Sequence, residues 1–213
     1  EVHPSGKFLY AVNEIRDFKG ESAGAVTAFS INPKTGDLKK LNQVSSRGMG
    51  SCHLTIEPKG KTLLVANYGG GSVASFRIGE DGTLSEAVSF FQHEGSSVNE
   101  RRQKGPHAHS INVDPSGKRA YCADLGLDKV LVYKLNEKGK LKVNDPPFAK
   151  TQPGGGPRHL NFHPFGRFAY VNLEMTSKVT VFTHNARTGI LTEVQTVSTL
   201  PKDFTGNNST AEI

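Results

Sequence analysis

Residues 53–91 read HLTIEPKGKTLLVANYGGGSVASFRIGEDGTLSEAVSFF. Three turn signals cut this stretch into four short apolar segments. Pro58-Lys59-Gly60-Lys61 separates 53–57 from 62–67, Gly69-Gly70-Gly71 separates 62–67 from 72–78, and Gly79-Glu80-Asp81-Gly82 separates 72–78 from 84–91. A proline followed two residues later by glycine fits a tight turn between strands. The segment 62–67 is apolar almost throughout, as suits a strand covered on both faces. The stretch therefore predicts one four-stranded antiparallel unit.

The unit recurs along the chain. Its turn returns as Pro4-Ser5-Gly6-Lys7, Pro115-Ser116-Gly117-Lys118 and Pro164-Phe165-Gly166-Arg167. Its third strand returns as Val26-Thr27-Ala28-Phe29, Val130-Leu131-Val132-Tyr133 and Val179-Thr180-Val181-Phe182. Gly-x-Leu then follows at Gly36, Gly82, Gly139 and Gly189. A strand-rich repeat of about fifty residues, with turns inside each unit, is the pattern of a β-propeller blade. The expected fold is all-β, a propeller of four-stranded antiparallel blades forming one domain over 1–213. Its repeats fall near 1–51, 52–108, 109–157 and 158–211, and the insert at 14–24 is a long hairpin loop. Long helical stripes are absent. Four blades of this size make a poor closed ring, so the expectation is a fragment covering about four blades of a ring of seven.

Composition narrows the function classes. The chain has 213 residues, 22% charged and 35% hydrophobic, which fits a folded globular protein. No apolar run reaches the length of a membrane span. The net charge of +6 arises from lysines and arginines scattered through turns, with no basic run and no interleaved aromatics. Nucleic-acid binding is therefore not expected, nor is a membrane partner. Cys52 and Cys122 are read as small buried hydrophobes with free thiols, in keeping with a cytoplasmic protein.

Four motifs carry a resemblance: Gly105-Pro106-His107-Ala108-His109-Ser110, Ala123-Asp124-Leu125-Gly126 ahead of Val130-Leu131-Val132-Tyr133, Gly156-Pro157-Arg158-His159, and Phe204-Thr205-Gly206 leading to Ala211-Glu212-Ile213. In this order and spacing they resemble the seven-bladed β-propeller lactonases, which include bacterial 6-phosphogluconolactonases and fungal carboxymuconate lactonizing enzymes. The resemblance spans the chain. It implies hydrolysis of a sugar-acid lactone, with 6-phospho-D-glucono-1,5-lactone, an intermediate of the pentose phosphate pathway, the leading substrate. It also implies a catalytic cluster of His, Arg and Glu, plus a later Arg on a blade outside this chain. The Arg falls on Arg158 and the Glu on Glu174, although the Asn usual before that Glu is here Leu173. The His falls on His109 or His107.

The residues suggest a site by their own register. Positions just ahead of each first strand hold Cys52 and His53, His109 and Ser110, Arg158 and His159, and finally Ala211 and Glu212. In a propeller these positions ring the mouth of the central channel, so His53, His159 and Glu212 are candidate substrate-binding residues. His107 and His109, two apart, would share a strand face. Opening a lactone requires an activated water, a donor for the oxyanion and a proton for the leaving alkoxide, which imidazole, carboxylate and guanidinium supply. Each group also has a plain structural reading: Arg158 as a strand-end ion-pair partner, the histidines as interior residues, and Glu174 as a solvated hairpin charge. His3 and His163 read as turn residues; His93 and His184 read as surface. Residues 94–105, with Arg101, Arg102 and Lys104, form a long charged connection that reads equally as an anion-attracting overhang of the channel mouth and as a plain mobile loop.

Other chemistries find no support. There is no Gly-x-Ser-x-Gly elbow, no Cys/His set with zinc spacing, and no helix behind Gly69-Gly70-Gly71 or Gly154-Gly155-Gly156 to make a phosphate loop. No metal or other cofactor is expected. Three rivals stay open. One is a lactone-forming cycloisomerase of the muconate type. Another is a metal-dependent propeller lactonase using Asn67, Asp124 and Asn172, which otherwise read as structural strand ends. The third is a non-catalytic binding platform.

Overall fold

The computed structural model describes residues 1–213. Its regular structure is fifteen strands: β1 (Phe8–Asn13), β2 (Ala25–Ile31), β3 (Leu38–Ser45), β4 (Ser51–Ile56), β5 (Thr62–Asn67), β6 (Ser72–Ile78), β7 (Leu84–Gln92), β8 (Ala108–Val113), β9 (Arg119–Asp124), β10 (Lys129–Leu135), β11 (Leu141–Lys150), β12 (Pro157–Phe162), β13 (Phe168–Leu173), β14 (Lys178–His184) and β15 (Leu191–Ser198). They form four antiparallel sheets in simple sequence order, β1–β3, β4–β7, β8–β11 and β12–β15. No helix is long and apolar enough to cross a membrane.

The first sheet departs from the expected four strands. Only residues 1–3 precede its Pro-x-Gly turn, too few for a strand. They still pair where one would lie: Val2 bridges Leu9, and Glu1 exchanges backbone hydrogen bonds with Tyr10.

The repeated turn has a single construction. The amide of the glycine donates to the carbonyl of the residue before the proline, as in Gly60 to Glu57 and Gly117 to Asp114, both 2.8 Å. The glycine then takes a positive φ, 72° at Gly60 and 70° at Gly117, which a side chain would strain. The pre-proline carboxylates complete the turn. Glu57 accepts from the Lys59 and Lys61 amides, and Asp114 from those of Lys118 and Arg119.

Side-chain alternation along the second strands builds the core. Leu63 and Val65 of β5 pack with Tyr10, Val26 and Ala28 of the first sheet. Leu64 and Ala66 point the other way, onto Ile111, Ala120 and Cys122 of the third. This two-sided burial explains the apolar run at 62–67. Tyr121 faces β12–β15 with Val130 and Val132. Hydroxyls fix the spacing of the sheets, and each lands on the glycine of the next Gly-x-Leu motif. Tyr10 donates to the Gly82 carbonyl (2.9 Å), Ser75 to Gly139 (2.8 Å) and Tyr121 to Gly189 (3.2 Å).

Two histidines read as surface are instead buried, His93 with 4% and His184 with 8% of its surface exposed. His184 ends β14 on the face that buries Thr180 and Phe182. There it bonds the Tyr121 hydroxyl (Nε2, 2.8 Å) and the Gly166 carbonyl (Nδ1, 2.8 Å). His93 sits between Asp124 (Nδ1 to Oδ2, 2.6 Å) and the Tyr133 hydroxyl (Nε2, 2.8 Å). Both satisfy their two ring nitrogens inside the protein, which makes their burial affordable in polar terms. Cys122 is buried and Cys52 partly so, and both thiols are free.

Candidate functional site

The innermost strands β4, β8 and β12 lie side by side. Each carries a register break near its start: between Ser51 and His53, between Ala108 and Ser110, and between Pro157 and Leu160. The extra residue is Cys52 in β4 and His109 in β8, and falls within Arg158–His159 in β12. Such bulges re-aim a side chain at the cost of one ladder position. Their repetition at equivalent places turns Cys52, His109, Arg158 and His159 toward one cavity of about 460 Å³.

Polar side chains at the ends of the second strands brace these entrances. Asp124 Oδ1 accepts from the His107 and Gly126 amides (2.8 and 3.0 Å), and Asn172 Oδ1 from the His159 amide (2.7 Å). Asn67 bonds Ser51, Ser72 and the Ser46 carbonyl. These are the oxygen donors that the metal-dependent reading invoked, and their observed bonds hold strands and turns together. The residue just past the second strand then faces inward in three of the four sheets: Glu14, Tyr68 and Glu174 line the cavity. The fourth, Leu125, is buried.

Glu174 lies between two guanidinium groups. Arg158 Nε donates to its Oε2 (3.0 Å) and Arg102 Nη2 to its Oε1 (2.8 Å). Arg102 also reaches the Tyr68 hydroxyl (3.2 Å). Arg158 Nη1 donates to the Ala211 carbonyl. His159 faces the Glu212 carboxylate through Nδ1 at 2.9 Å. His109, Arg158, Glu174, His159 and Glu212 thus share the cavity, together with Arg102, Glu14, Tyr68 and Cys52.

His107 and His53 are placed elsewhere. His107 precedes β8, and the bulge at His109 interrupts the alternation that would have put both on one face. Its ring stacks on Tyr68 at 4.6 Å and Nδ1 meets the Tyr68 carbonyl at 3.0 Å. His53 packs behind the cavity edge-on to His159 at 5.3 Å, its Nδ1 accepting from the Ile111 amide. His109 touches His159 from the other side, at 5.2 Å.

Burial sets the protonation of this cluster. His53 is pushed down to about 3 by desolvation and then by its neighbours His159 and His109. His109 is also held near 3, first by burial and then by the Arg158 cation. Its Nδ1 is buried without a hydrogen-bond partner. His159 is lowered by burial against the opposing pull of Glu212. Burial and Glu14 raise Cys52 to about 12, so its sulfur is a thiol and a poor nucleophile at neutral pH.

The His53 shift has a consequence for stability. An unfolded imidazole takes up its proton near about 6.5, whereas folded His53 does so only near 3. Between those values the unfolded chain holds the extra proton, so acidification through this window favours unfolding. Stability is expected to be level above the ordinary histidine range and to fall below it, with a shallower fall in His53→Asn. Urea midpoints from about pH 7 to about pH 4 check this; equal slopes in variant and wild type would contradict a neutral buried His53.

A second cleft, of about 300 Å³, lies at the opposite rim and is lined by Lys59, Lys61, Arg77 and Lys118. It holds no imidazole. Its Glu57 carboxylate is consumed in capping the turn. The chemistry therefore concentrates at the His109 cavity.

A family model described as "Lactonase, 7-bladed beta-propeller" matches residues 1–213. A 6-phosphogluconolactonase of Bacillus subtilis is 36% identical over 212 residues, which are 100% of this chain and 58% of that protein. A 6-phosphogluconolactonase of Formosa agariphila is 32% identical over 184 residues, 85% of this chain and 51% of that protein. The solved structure of a periplasmic gluconolactonase from Pseudomonas aeruginosa superposes with a TM-score of 0.88 at 36% identity, covering 98% of this chain and 59% of that one. The chain thus spans somewhat over half the length of the relatives it matches.

Proposed function

The chain belongs to the seven-bladed β-propeller lactonase family, and from that premise we propose that the whole protein hydrolyses 6-phospho-D-glucono-1,5-lactone to 6-phosphogluconate. The observation that carries the reading is the meeting of His109 with the Arg158–Glu174 pair in one cavity. Ester opening requires a proton acceptor for the attacking water and a donor for the oxyanion formed at the carbonyl, and the reading gives these roles to His109 and Arg158. His109, neutral at physiological pH, takes a proton from water as the water oxygen adds to the lactone carbonyl. Arg158 donates to the developing oxyanion. Collapse breaks the bond between the carbonyl carbon and the ring oxygen, and the imidazolium returns its proton to the departing alkoxide. Glu174 fixes Arg158 through Nε and the Ala211 carbonyl takes Nη1, leaving Nη2 toward the substrate. His159 and Glu212 bind sugar hydroxyls at the rim.

A base held near 3 is weak, but the second cause of its depression is the Arg158 cation. Arg102 adds to the depression, so an anionic substrate bound across the two arginines offsets their charge and raises the basicity of His109 only when the site is filled. A phosphorylated sugar is an intracellular metabolite, so the reading places the reaction in the cytoplasm. The Pseudomonas relative, described as a periplasmic gluconolactonase, favours the unphosphorylated lactone as the second reading. Fresh 6-phosphogluconolactone and glucono-1,5-lactone, followed by acid release with the full-length protein, test both. Acceleration over spontaneous opening is expected with the phosphorylated compound. No acceleration of either would overturn the hydrolase reading, and lactone formation from a muconate would move it to the cycloisomerase.

A further inference from the structure

We propose that Arg102 is a specificity-determining residue of this site, the cation that distinguishes a phosphorylated sugar lactone from an unphosphorylated one. The inference rests on the lactone-hydrolysis reading above. Three observations point to it. Arg102 belongs to the connection between β7 and β8, in a different sheet from Glu174, yet it closes onto the Glu174 carboxylate at 2.8 Å and onto Tyr68 at 3.2 Å. Only Nη2 makes those bonds. Nε and Nη1 make none within the protein, and the side chain remains 44% exposed at the cavity. A guanidinium with an open edge is suited to two parallel bonds with a phosphate.

The connection that carries it is built as a fixed support. Gln103 is fully buried, its Nε2 donating to the Leu125 carbonyl at 2.8 Å and its Oε1 accepting from the Asn99 amide at 3.0 Å. Asn99 Oδ1 in turn accepts from the Arg102 amide. Ser97 is tied to Asp128, and the loop's start is pinned by His93 on Asp124. Of the exposed side chains on this anchored connection, Arg102 is the one that lines the cavity.

Charge at the cavity supports the assignment. Its lining includes three carboxylates, Glu14, Glu174 and Glu212, and only two guanidinium groups. The two cations flank one carboxylate, so Arg102, Glu174 and Arg158 together carry one net positive charge. With Arg158 committed to the carbonyl oxygen, Arg102 is the pole left for a phosphate. A neutral lactone gains nothing from it.

The test is the ratio of kcat/KM for 6-phosphogluconolactone to that for glucono-1,5-lactone in full-length wild type, Arg102→Gln and Arg102→Lys. The ratio is expected to fall roughly 10- to 100-fold in Arg102→Gln, mainly through KM, as for loss of a charged hydrogen bond. Arg102→Lys should recover part of it, because charge survives while the fork is lost. An unchanged ratio would overturn the proposal: with equal losses on both substrates Arg102 merely holds Glu174, and with no loss on either it has no part in the site. Calorimetric binding of 6-phosphogluconate and gluconate separates this proposal from the hydrolase reading. If wild type opens neither lactone yet prefers 6-phosphogluconate, and Arg102→Gln abolishes that preference, Arg102 stands and the hydrolase reading falls. Absence of any preference in wild type would overturn the role given to Arg102.

Discussion

Arg158→Ala in the full-length protein is expected to lower kcat/KM by about 10² to 10³, the loss seen when an oxyanion donor is removed. Arg158 is bonded to Glu174 through Nε and to the Ala211 carbonyl through Nη1, so Nη2 is the donor available to a carbonyl held near His109. Truncation removes that donor and also leaves Glu174 with Arg102 as its one cation. The loss should therefore fall mainly on kcat, with a smaller rise in KM for the phosphorylated lactone. Arg158→Lys should restore little, since an ammonium cannot keep the Glu174 bond and reach the carbonyl together. Steady-state kinetics on both variants, with unchanged thermal midpoints as the folding control, provide the measurement. Wild-type rates in both would mean that Arg158 is only a strand-end partner of Glu174.

Much of the fold was legible because a blade announces itself locally. A tight turn needs its glycine at a positive φ, as at Gly60 and Gly117, and a strand covered on both sides needs an apolar run like 62–67. These requirements repeat with the blade, so the expected strands 62–67 and 72–78 coincide with β5 and β6. The Gly-x-Leu motif was visible as a marker, but its use was not. It receives a hydroxyl from the preceding sheet at Gly82, Gly139 and Gly189. No spacing reports a bond between residues 72 positions apart. His184 reads as surface by its polarity, although its alternation with Phe182 and Thr180 points it inward. The polar side chain suggested solvent, while the partners that make burial tolerable, Tyr121 and Gly166, come from other parts of the chain.

The site was legible in its register and not in its pairings. Counting back from the turn prolines brought Cys52, His109, Arg158 and His159 to one mouth, and the bulges that aim them sit at those same positions. The bulge also separates His109 from His107, which simple alternation could not do. Glu14, Tyr68 and Glu174 follow a rule the sequence does contain, each standing just past a second strand, yet that rule is apparent only once the strand ends are known. Arg102 lay within a charged loop with Arg101 and Lys104 as equal neighbours. Its selection depends on the buried Gln103 and on the reach to Glu174, both consequences of packing.

His109→Asn is expected to lower kcat by about 10² to 10⁴, the usual contribution of a positioned base, while leaving KM for the phosphorylated lactone close to wild type. The substitution keeps a polar side chain but removes the proton acceptor. Glu174 is the competing base, but each of its oxygens already accepts from a guanidinium group, which commits the carboxylate to holding Arg158 and Arg102. The pH profile tells the depressed His109 from an ordinary imidazole, and the variants tell it from Glu174. With glucono-1,5-lactone, which lacks a titrating phosphate, kcat/KM reports the free enzyme. His109 in that state stays neutral until about 3, so acidification from about pH 7 to about pH 5 should leave kcat/KM level, where an ordinary histidine near about 6.5 would lose most of its active form. With the phosphorylated substrate bound across Arg102 and Arg158, both of which depress His109, the imidazole should become more basic, so the acid limb of kcat for the phosphorylated lactone should lie at higher pH than that of kcat/KM for the neutral one. A His109→Asn variant at wild-type rate, set against a Glu174→Gln variant that loses the acid limb, would transfer the base to the carboxylate and leave His109 as a neutral wall of the cavity.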